Sequence, residues 1–297
     1  MQYQKTLSGK VSLEGQGIFT GKTIKVEIEP AGIDTGIIFV REDLPEKPEI
    51  PLKVENIFGL EGATAITDGT HIIYLVEHLL SALHGLQIDN AIIRVYGEEV
   101  PLLDGSAYPW VRQIQKKGYQ YLFYPKKKFR IKKTFSYKNG HGTIVFKPSD
   151  TLKIKASISF DHPVIGNQEI SLEINPNNYI REVCFARTFG FKDILLERIK
   201  KGILKGGDLS TAIILDREKV LNPEGLRSQD EFVRHKVLDL VGDLFGLGGC
   251  LVAEVEAISS HHRLHIEALK SLYASGLVEE IEERALTFLL VSKRKRF

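Results

Sequence analysis

TLKIKASISF, residues 151–160, places Leu152, Ile154, Ala156, Ile158 and Phe160 at every second position with polar residues between them. That period of two predicts a strand with one buried face. GTIVFKP just before it, QEISLEI after it and KKKFRIKKTFSY at the head of this half read as strands as well. KKKFRIKK, 126–133, is most simply a strand with one charged face. Helical spacing follows only later, near 189–201, 233–246 and 262–274, with a strand, LVAEVEA, at 251–257. The first hundred residues show the same order. Strand-like runs lie at Lys25–Glu29, Gly36–Arg41 and Ala91–Tyr96. A helix is predicted from about Ile72 to His84, closed by Gly85 as its cap. A second, near Ala107 to Lys116, is entered through the turn Asp104-Gly105-Ser106. Strands precede helices twice, which predicts an α+β class rather than the βαβα alternation of a doubly wound sheet. The division is placed around Pro125, giving an N-terminal α+β domain over 1–124 and a C-terminal one over 125–297.

The chain has 297 residues, of which 43% are hydrophobic and 26% charged, a globular composition. Forty basic residues against 38 acidic ones leave a net charge of +2, so bulk electrostatics give no reason to bind nucleic acid or anionic membrane. No run approaches the ~18 apolar residues of a membrane span. The opening MQYQKTLSGK lacks the apolar core of a signal peptide. With two cysteines, Cys184 and Cys250, and no CxxC, the expectation is a cytoplasmic protein with reduced thiols. The closing SKRKRF reads as a solvated end.

Two segments carry candidate chemistry. In VRHKVLDLVGDLFGLGG, 233–249, His235, Asp239 and Asp243 stand four apart and share one helical face. An imidazole and a carboxylate at that spacing converge on one cation, although an exposed polar face on an amphipathic helix explains the segment alone more simply. In VEHLLSALHGL, 76–86, Glu77 precedes His78 in a helix otherwise rich in leucine and alanine. Either the pair faces solvent or it is buried with a partner, because an unpaired charge is costly to bury. Zincin signatures fail here, since position 74 is Tyr and position 81 is Ser. Taken together, His78, His235 and Asp239 supply three ligands for a catalytic Zn2+ with an open fourth position, and Glu77 is the base beside its water. SHHRLHIEALKSL, 260–272, adds His261, His262 and His265, any of which would serve as an acid. FARTFGF, 185–191, offers the Thr188 hydroxyl between two aromatics, a pattern that alone reads as core packing. LKGGDLSTAIIL, 204–215, is a Gly-Gly turn before a strand and lacks P-loop spacing.

In this order the segments resemble the UDP-3-O-acyl-N-acetylglucosamine deacetylases, the zinc enzymes that commit the lipid A pathway. SLEGQGIFTGKTIKVEIEPA at 12–31, VEHLLSALHGLQIDNA at 76–91, EVPLLDGSA at 99–107 and SFDHPVIGNQ at 159–168 carry the resemblance. FARTFGF, LNPEGLR at 221–227 and RHKVLDLVGDL at 234–244 complete it. It runs from about residue 5 to 272. It implies two domains of similar α+β topology with helices packed between two sheets. It places one catalytic zinc on His78, His235 and Asp239, and the base on Glu77. Thr188 and Lys236 then stabilise the transition state, and His262, oriented by Asp243, is the acid. Phe160 matches an aromatic implied in uridine contact and Phe189 one near the substrate.

The implied reaction is hydrolysis of the N-acetyl group of UDP-3-O-(3-hydroxyacyl)-N-acetylglucosamine by a cytoplasmic monomer. Three positions depart from the family pattern: Phe19 where histidine precedes TG, Leu75 where threonine precedes VEH, and His261-His262-Arg263-Leu264-His265 where Gly-His-x-Leu-Asn is usual. The rival readings are a catalytically impaired paralogue that binds zinc and a nucleotide sugar without turnover, and an RNA-binding protein, against which the near-neutral charge argues.

Overall fold

The computed structural model describes residues 2–281. The first half runs β1 (Tyr3–Leu7), β2 (Val11–Gln16), β3 (Thr23–Pro30), β4 (Ile37–Arg41) and β5 (Glu49–Pro51). A small antiparallel sheet follows, made of β6 (Ile57–Leu60), β7 (Ala63–Thr67) and β8 (Ile72–Tyr74). Then come α1 (Glu77–Gly85), β9 (Ala91–Val95), α2 (Tyr108–Lys117) and β10 (Tyr119–Pro125). The second half begins with β11 (Lys128–Ile131), β12 (Phe135–Asn139), β13 (Gly142–Pro148), β14 (Lys153–Ser159) and β15 (Asn167–Glu173). It continues through α3 (Pro176–Glu182), β16 (Phe189–Phe191), α4 (Lys192–Lys200) and β17 (Ile213–Leu215). Among the described residues it closes with α5 (Glu231–Leu244), β18 (Cys250–Ile258), α6 (His262–Ala274) and β19 (Val278–Ile281). The SKRKRF segment lies outside the described residues.

The two halves share one topology. The first sheet has the order β2-β3-β9-β4-β5, with β4 and β9 its only parallel pair. The second contains β12-β13-β18-β14-β15, where β14 and β18 are again the parallel pair. β1 pairs with β10 and bridges to Asn90 at the head of β9, just as β11 pairs with β19 and with the head of β18. Parallel neighbours need a crossover connection, and α1 and α5 each lie in one. What differs is the insertion ahead of that helix: the β6–β8 sheet in the first half, and α3 with the parallel pair β16–β17 and α4 in the second.

Alternation in 151–160 appears as predicted, with Ile154, Ala156 and Ile158 buried and Lys153 and Lys155 exposed on β14. KKKFRIKKTFSY divides into β11 and β12, and Phe129 and Ile131 of β11 point inward. The predicted helix from Ile72 to His84 is corrected. Ile72–Tyr74 is a strand paired with β7, and the helix begins at Glu77. Leu75, with φ of 60°, breaks the chain between them. Gly85 is inside α1 rather than at its cap, and the Tyr179 ring of α3 occupies the space where a side chain would stand. All nine residues of α1 and twelve of the fourteen in α5 are buried, so these two helices form the centre of the molecule.

Candidate active site

The site forms where α1 and α5 meet. Ser81 of α1 donates to the carbonyl of Leu238 at 2.7 Å, and His84 Nδ1 lies 2.7 Å from the carbonyl of Val241. A carbonyl only accepts, so His84 Nδ1 carries the hydrogen. Burial lowers the His84 pKa to about 4, which keeps this contact neutral. At the other end, Glu231 receives the backbone N–H groups of Arg187 and Arg227 at 3.0 and 2.6 Å and pairs with the Arg187 guanidinium at 2.9 Å. This buried pair fixes the FARTFGF segment, and with it Thr188, against the start of α5.

His78, His235 and Asp239 come together here, each offering a ligand atom within 4.8 Å of the others. All three are buried. That overturns the exposed-face reading of the HxxxD spacing and the solvent-facing reading of Glu77 and His78. His235 Nδ1 lies 3.1 Å from the carbonyl of Ala186, so the hydrogen sits there and the Nε2 lone pair faces Asp239 Oδ1 at 3.2 Å. His78 Nε2 faces the same oxygen at 3.6 Å. Asp239 Oδ1 accepts no hydrogen bond although it is buried. An imidazole lone pair and a carboxylate lone pair repel at that distance unless an electrophile lies between them. Burial lowers the pKa of His235. It would raise that of Asp239, but His235 and Lys236 outweigh it and hold the carboxyl well below its usual range. A neutral imidazole and an ionised carboxylate are the forms that bind metal, so the residues fit a divalent cation.

Glu77 is buried beside this group, and its Oε2 accepts from the Thr64 N–H at 2.9 Å. Burial raises its pKa against the pull of His262 and His78. Asp243, one turn beyond Asp239, is fully buried. Its Oδ1 accepts from the Thr64 hydroxyl at 2.6 Å. Its Oδ2 faces Nδ1 of His262 at 2.9 Å and Nδ1 of His265 at 2.7 Å. His262 Nε2 lies 3.8 Å from Asp239 Oδ2. Burial alone would lower the His262 pKa, but Asp243 and Asp239 overcome it and raise it to about 9. His261 is the exposed N-cap of α6, accepting from Leu264 N. Lys236 Nζ is 3.0 Å from Asp239 Oδ2 and 5.5 Å from the Phe189 ring centre.

These groups open on a cavity of about 1060 Å³, lined also by Thr188, Phe160 and Phe189. The two phenylalanines meet edge to face at 5.7 Å. Ile194, Leu196 and Ile199 of α4 line it too and remain about half exposed, at 51%, 44% and 50%. On another wall, Phe19 and Leu75, both departures from the family pattern, pack into one small apolar cluster with Ile18 and Leu204.

A family model described as UDP-3-O-acyl N-acetylglycosamine deacetylase matches residues 4–274. The chain belongs to this deacetylase family. Among its relatives, UDP-3-O-acyl-N-acetylglucosamine deacetylase of Teredinibacter turnerae is 40% identical over 271 residues, 91% of this chain and 89% of the relative. The proteins of that name from Pseudomonas entomophila and Saccharophagus degradans are 40% and 41% identical, again across 91% of this chain and 90% and 89% of theirs. All ten residues that the deacetylase resemblance singles out lie at the cavity or one contact behind it. Sequence reading missed Thr64, which touches Glu77, Asp243 and His262 at once. A lone threonine in ATAIT gives no signal of that. It also missed the Arg187–Glu231 pair, and that Ser260 and His265 extend the network.

Proposed function

We propose that the chain is a zinc-dependent amidohydrolase that removes the acetyl group from UDP-3-O-(3-hydroxyacyl)-N-acetylglucosamine, releasing acetate in lipid A biosynthesis. The family and the names of its relatives support the reaction. The observation that carries the chemistry is Asp239 Oδ1, buried without a hydrogen-bond donor between two imidazole nitrogens at the wall of a large cavity. Two imidazoles and one carboxylate suit zinc better than a hard cation. Held by His78, His235 and Asp239, such an ion would supply Lewis acidity to the acetyl carbonyl and to water near neutral pH.

The chain's own residues do the rest. Glu77 takes the proton of the attacking water, and its desolvated carboxyl retains it. Thr188 and Lys236 stabilise the oxyanion that forms on the acetyl carbon. His262, held by Asp243, delivers a proton through Nε2 to the sugar nitrogen as the C–N bond breaks. The acid product gives its hydroxyl proton to the amine, so acetate and an ammonium leave, and the proton held on Glu77 returns to His262 through solvent. Phe160 faces the uridine end, Phe189 lies near the substrate, and the apolar residues of α4 line the path of the fatty chain. Each buried CH₂ contributes about 0.8 kcal/mol.

The two halves, 1–124 and 125–297, are taken as the domains of a cytoplasmic monomer. Among the described residues no helix is long and apolar enough to cross a membrane. The impaired-paralogue alternative finds no support: the ligand group, Glu77, His262 and Asp243 are all present and in contact across one site.

The test is acetate release from the 3-O-acylated substrate and from plain UDP-N-acetylglucosamine, with and without chelator. Release from the acylated substrate alone, abolished by chelator and restored by zinc, is expected. Equal kcat/KM for the two substrates, or full activity after metal removal, contradicts the proposal.

A further inference from the structure

We propose that His265 is a positioning residue for this reaction: with Thr64 it fixes the Asp243 carboxylate, and Asp243 in turn holds the His262 imidazole with Nε2 toward the cavity. The inference rests on the function proposed above. His265 departs from the asparagine usual in the family, and the structure gives it a defined task.

An ionised carboxylate only accepts hydrogen bonds. Both histidines that face Asp243 Oδ2 must therefore present Nδ1–H to it, at 2.9 Å from His262 and 2.7 Å from His265. That leaves His265 Nε2 to accept from the Ser260 hydroxyl at 2.7 Å. The Thr64 hydroxyl occupies the other oxygen, Oδ1, at 2.6 Å. Three donors on two oxygens leave the Asp243 carboxylate no freedom to turn. Without His265, Oδ2 is gripped only by His262, the group it is meant to orient. His265 does not line the cavity and is 1% exposed, so it reaches no substrate itself; its two partners are Asp243 and Ser260, and only the bond to Asp243 leads to His262. Its neighbour His261 caps α6, which fixes the first turn from which both His262 and His265 reach down to α5.

Three substitutions separate positioning from simple filling of space. In His265→Asn the amide nitrogen stands near the place of Nδ1, so the bond to Asp243 is kept and that to Ser260 is lost. His265→Gln reaches the place of Nε2, with the opposite result. His265→Leu fills the space and donates nothing. With zinc content unchanged, kcat is expected to fall on the order of 10–100-fold in the Gln and Leu proteins, with KM held within about twofold. The Asn protein is expected to stay within about threefold of the parent.

A readout independent of turnover is the His262 Nδ1 proton in histidine-labelled NMR spectra. It should keep its position in the Asn protein and shift or broaden in the other two. Parental kcat in the Leu and Gln proteins, an Asn protein as slow as the Leu protein, or an unmoved His262 signal in all three overturns the proposal. If the parent itself releases no acetate, the function reading fails, and the His262 signal alone still decides whether His265 positions that ring.

Discussion

A Cβ on Gly242 would stand 2.1 Å from the carbonyl oxygen of Glu77. Here α5 lies directly on α1, and this contact sets how far the Asp239 and Asp243 carboxylates stand from Glu77 and His78. Gly242→Ala forces the helices apart. Overpacking of this kind costs about 1–3 kcal/mol. A lowered Tm together with weakened zinc affinity is expected, measured by calorimetry and metal titration. Unchanged values for both would mean that the two helices yield without moving the site.

Removing a ligand should act on metal before anything else. His78→Ala and Asp239→Ala are expected to lower zinc content at equal free zinc, and activity with it, on the order of 10–100-fold or more. Atomic absorption after dialysis against a buffered zinc solution is the check. Full occupancy with normal turnover in either protein removes that residue from the ligand set.

Glu77 gives the opposite pattern. Glu77→Gln keeps the volume and the acceptor for the Thr64 N–H but not the base. Zinc should stay bound while kcat falls on the order of 10²–10⁴-fold. Loss of zinc instead would make Glu77 a ligand.

The pH profile of kcat/KM should be bell-shaped. Glu77 must be ionised to take a proton, so it sets the acid limb; burial raises its pKa and a cation on His78 and Asp239 would oppose that rise. His262 must be protonated to act as acid, and Asp243 and Asp239 together raise it from 6.5 to about 9. A cation on Asp239 takes away that carboxylate's share, so the alkaline limb falls below about 9. Asp243→Asn should move the alkaline limb to lower pH, because the neutral amide no longer favours the imidazolium. An alkaline limb that stays put in Asp243→Asn and in His262→Gln assigns the acid elsewhere.

Much of this was legible in the sequence, for reasons that can be named. The alternation of 151–160 reports a strand directly, because side chains on a strand have only two faces. The spacing of His235, Asp239 and Asp243 reports one face of a helix, whatever surrounds it. Their burial was not legible. A helix with polar residues on one stripe normally turns that stripe to water, and only the contact between α1 and α5 reverses this. Ile72–Tyr74 merged with the helix after it because both are apolar, and the positive φ of Leu75 that separates them leaves no mark on composition. Thr64 and Ser260 are ordinary hydroxyls until the fold brings them to Asp243 and His265.

The ligand set is divided between the repeated halves, with His78 on the helix of one and His235 and Asp239 on the helix of the other. A cation held there is a staple between residues 157 and 161 positions apart in the chain. Neither half alone supplies all three candidate ligands, so a cation site built on them would need both halves together. Because a cation bound there would favour only the assembled state, its concentration would also tune how firmly the two halves unfold together.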